Sequence, residues 1–215
     1  MQQDGWQLRI KRSLDFLGAA GAVIVLSPVI GATAVAVAIS IGRPVLFEQT
    51  RPGLGGRPFT IRKFRTMRDS RAADGSLLED SVRVTRVGRL LRTLSLDELP
   101  QLWNVLRGEM SLIGPRPLLM QYLARYSPHQ ARRHEVLPGM TGWAQVNGRN
   151  ALTHEERFEL DVWYVEHWSL ALDARIAWLT LRTVLGRIGS TPHDRVTMAE
   201  FYGSASGGAA QPLSE

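Results

Sequence analysis

The 215-residue chain has no cysteine, which excludes disulfides, thiolate nucleophiles and cysteine-ligated zinc or iron–sulfur centres. Its five histidines show no ligand spacing. His129 and His134 are too widely set for one helical face, and His154 has no partner histidine, so no zinc site is expected. Phosphate-binding glycine signatures are missing as well. Gly53-Leu54-Gly55-Gly56 lacks the spacing and the following helix of a Walker or dinucleotide-binding loop, and no nucleotide-hydrolase mechanism follows. There is no internal repeat. Acidic residues (20) fall short of basic ones (26), giving a net charge of +6 and a pI near 10.4. Such a surface calls for an anionic partner: nucleic acid, acidic lipid or a phosphate ester.

The longest absence is of charge, from Phe16 to Gly42. A straight helix of that length is about 40 Å, enough to span hydrocarbon. Pro28 cannot donate to the helical ladder and its ring opposes the carbonyl four residues back, so a kink or break is expected there. The Ser27 hydroxyl beside it can satisfy a freed carbonyl. Arg9, Lys11 and Arg12 precede the run, and Arg43, Arg51, Arg57, Arg62, Lys63 and Arg65 follow it. Because short cytoplasmic flanks retain Lys and Arg, both ends are read as cytoplasmic. A re-entrant hairpin bent at Ser27-Pro28 meets that condition, whereas a simple transmembrane anchor does not. A cleaved signal peptide would have a shorter apolar core.

The chain divides into a re-entrant membrane segment (1–43), one compact catalytic unit (44–190) and a C-terminal extension (191–215), Gly/Ala/Ser-rich and flexible at its end. Residues 44–49 and 59–64 read as strands of a long-looped hairpin, and 68–81 as loop. Helical periodicity returns at 86–92. Ser95 with Glu98 fits a capping box for a helix starting at Leu96 or Asp97. A helical piece is expected near 118–135, another opened by Thr153 with Glu156 and running to about His167, and a last one from Asp173 to about Ile188. The class is α+β: a helix-rich cytosolic domain with a short β-hairpin, held by an N-terminal helix-break-helix. Trp163, Trp168 and Trp178 fall on amphipathic helices, at the headgroup level or in the core.

Chemistry concentrates at Asp97-Glu98. Adjacent carboxylates on a first helical turn sit beside unpaired backbone N–H groups that favour anions. They would repel a diphosphate unless a divalent cation and arginines cancel the charge, and Arg89, Arg92, Arg107 and Arg116 are close in sequence. A plain helix start is the other reading of the same pair. On a strand, Lys63 lies opposite Arg62 and Phe64 and can face a phosphate, or simply protect an edge. Arg116, between two prolines, is a guanidinium preset for bidentate phosphate contact.

Lys11-Arg12 with Asp15, Ser27-Pro28, Lys63-Phe64-Arg65-Thr66-Met67, Leu96-Asp97-Glu98-Leu99-Pro100-Gln101, Ser111-Leu112-Ile113-Gly114-Pro115-Arg116-Pro117 and Pro138-Gly139-Met140-Thr141-Gly142-Trp143 occur in order. Together, over about residues 9 to 190, they resemble the bacterial sugar transferase family, the small monotopic polyprenyl-phosphate phosphoglycosyl transferases. The resemblance implies transfer of a sugar 1-phosphate from a UDP-sugar to polyprenyl (undecaprenyl) phosphate, releasing UMP, as the first membrane step of a glycan assembly pathway. It implies Mg²⁺, held at Asp97. Asp97 is then the nucleophile that forms an aspartyl phosphosugar, and Glu98 assists phosphate or proton handling. Lys63, Arg92 and Arg116 fall in the charged site, and the helix breaks at Ser27-Pro28. The implied location is the bacterial inner membrane with the catalytic domain on its cytoplasmic face. The partners are the donor, the acceptor and membrane lipids, without nucleic acid, and a homodimer is left open. Residues 148–150 through 161–164 resemble members that handle N-acetylated amino sugars. The competing classes are an anionic-lipid or nucleic-acid binding module, a polyprenyl-phosphate phosphatase, and a glycosidase. Neighbouring carboxylates on one turn cannot flank a glycosidic bond, which disfavours the last.

Overall fold

The computed structural model describes residues 5–148, 152–185 and 201–203. Helix α1 (Gly5–Ser40) is followed by the antiparallel strands β1 (Leu46–Pro52) and β2 (Pro58–Phe64), then short α2 (Asp80–Arg83) and α3 (Arg86–Leu94). A 3₁₀ turn over Leu96–Gln101 leads into α4 (Leu102–Leu106), and β3 (Ser111–Ile113) follows. After 3₁₀ pieces and α5 (Pro128–Ala131), β4 (Gly139–Thr141) pairs in parallel with β3. Then come α6 (Trp143–Val146), α7 (His154–His167) and α8 (Leu170–Leu185).

The hairpin expected from residues 44–64 is present, its first strand reaching Pro52 so that the loop is shorter than the sequence suggested. Thr153 and Glu156 form the expected capping box: the Thr153 hydroxyl accepts from Glu156 N at 3.2 Å and the Glu156 carboxylate accepts from Thr153 N at 2.8 Å. Three expectations fail. Ser95 does not cap: it takes a left-handed conformation (φ 57°), ends α3, and its side chain makes no capping bond. The Glu98 carboxylate is drawn instead to two cations, a stronger pull than one backbone N–H. The 118–135 region is not one helix but short 3₁₀ and α pieces, since Pro128 interrupts any longer run. The last helix begins at Leu170, ahead of Asp173, because the Ser169 hydroxyl accepts from Leu172 N and starts it.

Nor do the two halves of the apolar segment form separate helices. α1 runs on through Pro28 for 36 residues, and the carbonyl of Ile24, which Pro28 cannot serve, accepts from Ser27 Oγ at 2.8 Å. One side of α1 is buried against the rest of the chain. Ala19 joins Ile61, Leu102, Val105 and Met110, while Val37 joins Phe64 and Leu91. The other side leaves Leu17, Ile24, Val25, Val35 and Ile39 exposed. Both ends are tied down. Lys11 Nζ donates to Asp173 Oδ2 (2.7 Å) and to the Ile113 carbonyl (3.0 Å), Asp15 accepts from Leu112 N, and Arg68 donates to the Ser40 carbonyl at 3.1 Å.

Asp173 is the hub of the far end, accepting also from Tyr164 Oη (2.7 Å) and Trp168 Nε1 (3.1 Å). Trp168 is therefore a core residue. Trp163 is stacked between Trp143 and His167, whereas Trp178 stands exposed on α8. Phe201 is buried among Tyr122, Tyr126, His154 and Phe158, its N–H donating to Tyr122 Oη. The rest of the 191–215 extension lies outside the described residues.

Candidate active site

The left-handed Ser95 turns the chain sharply after α3, so that Asp97 and Glu98 open a tight 3₁₀ turn rather than a long helix. Leu96 and Leu99, on the same turn, pack into the apolar cluster that contains Val37 of α1. The turn that carries the carboxylate pair is thereby packed against α1. Gly88 lets α3 approach closely: a Cβ there would lie 1.9 Å from the Thr66 carbonyl oxygen.

Side chains alternate along β2, and Lys63 points to the site while Arg62 turns outward to Glu48 (2.8 Å). Lys63 Nζ donates to Glu98 Oε1 at 2.9 Å. Arg116 closes a fork on the same carboxylate, one nitrogen donating to Oε1 and the other to Oε2 at 3.2 Å. Burial alone would raise the Glu98 carboxyl, but Arg116 and Lys63 outweigh it and hold it well below the carboxylate range. Glu98 is an anion at any physiological pH. Burial and the charge of Arg116 lower Lys63, against the opposing pull of Glu98, and Glu98 raises Arg116. Asp97 is buried at 9% exposure, and its charge acts on both Lys63 and Arg116.

Arg116 is positioned by its backbone. Its carbonyl accepts from Arg133 Nη2 at 2.8 Å, the Pro115 carbonyl accepts from Gly139 N at 2.9 Å, and Gly114 N donates to Thr141 O at 2.8 Å. A Cβ at Gly139 would stand 2.1 Å from Gly114 N, so only glycine permits this approach. Arg133 is in turn held by Asp161 of α7 (Nε–Oδ2 3.1 Å) and donates to Tyr126 Oη (3.0 Å). The Arg133–Asp161 pair is almost inaccessible to solvent. His134, beside it, is pushed down to about 4 by burial and by Arg133, so it is neutral near pH 7.

Four sequence-predicted residues thus come together: Asp97, Glu98, Lys63 and Arg116. Arg92 Nε donates to Thr66 Oγ1 at 2.9 Å, and Arg107 lies over the Trp103 ring. Ser27 and Pro28 sit midway along α1, on its exposed side. Arg133, Asp161 and Asn104 were missed. Asp161 carried a signal, as an acid within the apolar stripe Phe158, Val162 and Val165 of α7. Asn104, fully buried, donates to the Thr60 carbonyl and Glu109, both at 2.7 Å, and so joins α4 to β2. Arg149 and Asn150 of the amino-sugar resemblance lie outside the described residues.

Among the described residues no cluster of three or more His, Cys, Asp or Glu could cage a metal. Two adjacent carboxylates suit Mg²⁺ nonetheless, because that ion keeps several waters and commonly binds through one or two carboxylates plus substrate phosphates. Of the two, Glu98 already accepts from Lys63 and Arg116.

Comparison with known proteins places this geometry in context. The profile of the family described as "Bacterial sugar transferase" matches residues 6–187. An uncharacterized sugar transferase of Bacillus subtilis (strain 168), EpsL, is 55% identical over 195 residues, covering 91% of this chain and 96% of that protein. A UDP-N-acetylgalactosamine-undecaprenyl-phosphate N-acetylgalactosaminephosphotransferase of Aeromonas hydrophila is 42% identical over 84% of this chain and 45% of its own length. A UDP-glucose:undecaprenyl-phosphate glucose-1-phosphate transferase of Xanthomonas campestris pv. campestris is 43% identical over 87% of this chain and 41% of its own. The chain therefore spans less than half the length of these two relatives.

Proposed function

Since the chain belongs to the bacterial sugar transferase family, we propose that it transfers a sugar 1-phosphate from a UDP-sugar to a polyprenyl phosphate such as undecaprenyl phosphate, releasing UMP. The observation that carries this reading is the location of the Asp97-Glu98 pair. It is a carboxylate pair, Asp97 buried and Glu98 partly so, beside two phosphate-seeking cations, on a turn whose leucines pack against an exposed apolar helix. A water-soluble donor and a lipid-tethered acceptor can both reach such a point.

In the proposed mechanism an Asp97 oxygen attacks the sugar-bearing phosphorus of the donor, and the bond from that phosphorus to the bridging oxygen breaks, releasing UMP with that oxygen. The product is an aspartyl phosphosugar. An oxygen of the polyprenyl phosphate then attacks the same phosphorus, and the Asp97 carboxylate leaves, giving the polyprenyl diphosphate sugar. Arg116 and Lys63 face the charge on the non-bridging oxygens. Glu98, locked as an anion, orients those two cations and is not suited to donate a proton. Mg²⁺, when bound at Asp97, neutralises part of the charge of the diphosphate.

The same reading places α1 as a re-entrant anchor with the catalytic unit on the cytoplasmic face. Ties from Lys11 to Asp173 and from Arg68 to the Ser40 carbonyl hold both ends of the helix to one water-facing unit, which supports a return to the side of entry. Leu8→Cys and Thr50→Cys are expected to label from the same side of the membrane with an impermeant thiol reagent. Opposite-side labelling would refute the re-entrant anchor.

The full chain in lipid nanodiscs with undecaprenyl phosphate, supplied in turn with a panel of UDP-sugars, is expected to release UMP from at least one donor and to stop on chelation of Mg²⁺. A polyprenyl-phosphate phosphatase would release inorganic phosphate without any donor. That result, or no UMP from any donor, would overturn the proposal.

A further inference from the structure

A second cation lies beside the Pro115–Pro117 turn and takes no part in the cluster described above. β1 and β2 pair in the register Phe47↔Lys63, Gln49↔Ile61 and Arg51↔Phe59, so Arg51 and Lys63 share one face of the hairpin, about 13 Å apart along it. Arg51 immediately precedes Pro52, which lines a depression together with Arg116, Pro117, Arg133 and His134. Among the described residues no carboxylate pairs with Arg51. Nη2 donates to the Gln49 side-chain oxygen at 2.5 Å, and Nε is buried without a hydrogen-bond partner.

The surroundings are cationic. Burial and the charge of Arg116 push the Arg51 guanidinium down to about 10. Arg157 of α7 is lowered by burial and by the charges of Arg116 and Arg133, although Asp161 opposes them. The carboxylates within reach are already engaged, Glu98 by Lys63 and Arg116, and Asp161 by Arg133. A half-buried guanidinium with an unused donor and no counter-ion is costly in the free protein, and a bound anion removes that cost. A phosphate suits it best, since a guanidinium grips phosphate oxygens bidentately.

We infer that Arg51 is a donor-binding residue that, with Arg116, holds the phosphate of the departing nucleoside monophosphate at the Pro52 end of the hairpin. This rests on the transferase reading. Lys63, at the other end of the same face, then looks toward the transferred phosphate. Arg51 acts only while the donor or its nucleotide product is bound, and the attack by the polyprenyl phosphate proceeds without it.

Arg51→Gln and Arg51→Lys are to be compared with the unaltered full chain in nanodiscs, by direct UMP binding, by KM for donor and for undecaprenyl phosphate, and by melting temperature. R51Q is expected to weaken UMP binding and to raise the donor KM by about tenfold or more, with the acceptor KM unchanged. R51K should recover part of the loss. Melting should be unaffected or slightly raised, because no ion pair is broken. Unchanged UMP affinity and donor KM in R51Q would overturn the inference and leave the transferase reading standing, as would a defect confined to the acceptor. If the unaltered chain binds no uridine nucleotide, the transferase reading falls and this inference with it. Should R51Q melt early, R51K decides: at a normal melting temperature it must show weakened UMP binding, and wild-type affinity there refutes the role.

Discussion

Asp97→Asn is expected to reduce UMP release by at least about a thousandfold while leaving the fold intact. The amide matches the carboxylate in shape but is not nucleophilic toward phosphorus, and loss of a covalent nucleophile removes a whole step rather than one contact. Asp97 is buried on a turn fixed by Ser95 and by leucines packed against α1, so the isosteric change leaves that packing in place. Acid-quenched reactions of the unaltered chain with radiolabelled donor should retain label on the protein, and the D97N chain should retain none. Glu98→Gln separates the neighbouring role. It keeps the nucleophile but releases Lys63 and Arg116 from their shared partner, so labelling should persist at a reduced rate. Near-normal turnover by D97N would exclude the covalent scheme.

The largest expected effect on stability comes from Asp161→Asn. Asp161 and Arg133 are both almost wholly buried, and removing one charge of such a pair leaves the other stranded, which costs about 3–5 kcal/mol. The loss extends to the site, because Arg133 carries the Arg116 carbonyl on its Nη2. Denaturation in detergent micelles should show D161N markedly destabilised and the double variant D161N/R133M partly restored, since the stranded cation is then gone. If D161N unfolds at the same denaturant concentration as the unaltered chain, the pair does not have this structural role. Donor KM measured on the folded fraction of the double variant would then show how far the Pro115–Pro117 turn depends on Arg133.

What the amino-acid sequence disclosed was local. Two short apolar-rich runs around the loop residues 51–56 revealed the hairpin, and Thr153 with Glu156 revealed the start of α7, because each pattern is complete within a few residues. Ser95 with Glu98 had the same local appearance and misled, since partners 35 and 18 residues away outcompeted the cap. The β3–β4 pair was invisible for a similar reason. Each strand is three residues long, and they are joined by backbone pairing, Ser111 N to the Pro138 carbonyl and Gly114 N to the Thr141 carbonyl, with Gly114 and Gly139 in close approach. Asp97, Glu98, Lys63 and Arg116 could be named as chemistry-bearing residues in advance. Their meeting point depends on Arg133 and Asp161, which no short-range pattern connects.

The latch between Lys11 and Asp173 spans 162 residues of chain. On a ribosome adding roughly 5–20 residues per second, its two halves are separated in time by about 8–30 s. Until Asp173 is made, Lys11 lacks the acid that later pairs with it, although its other partner, the Ile113 carbonyl, is 102 residues on and comes earlier. The bond that fixes the Lys11 end of α1 therefore becomes attainable only well after that helix is made, once the chain has been extended through α7 into α8.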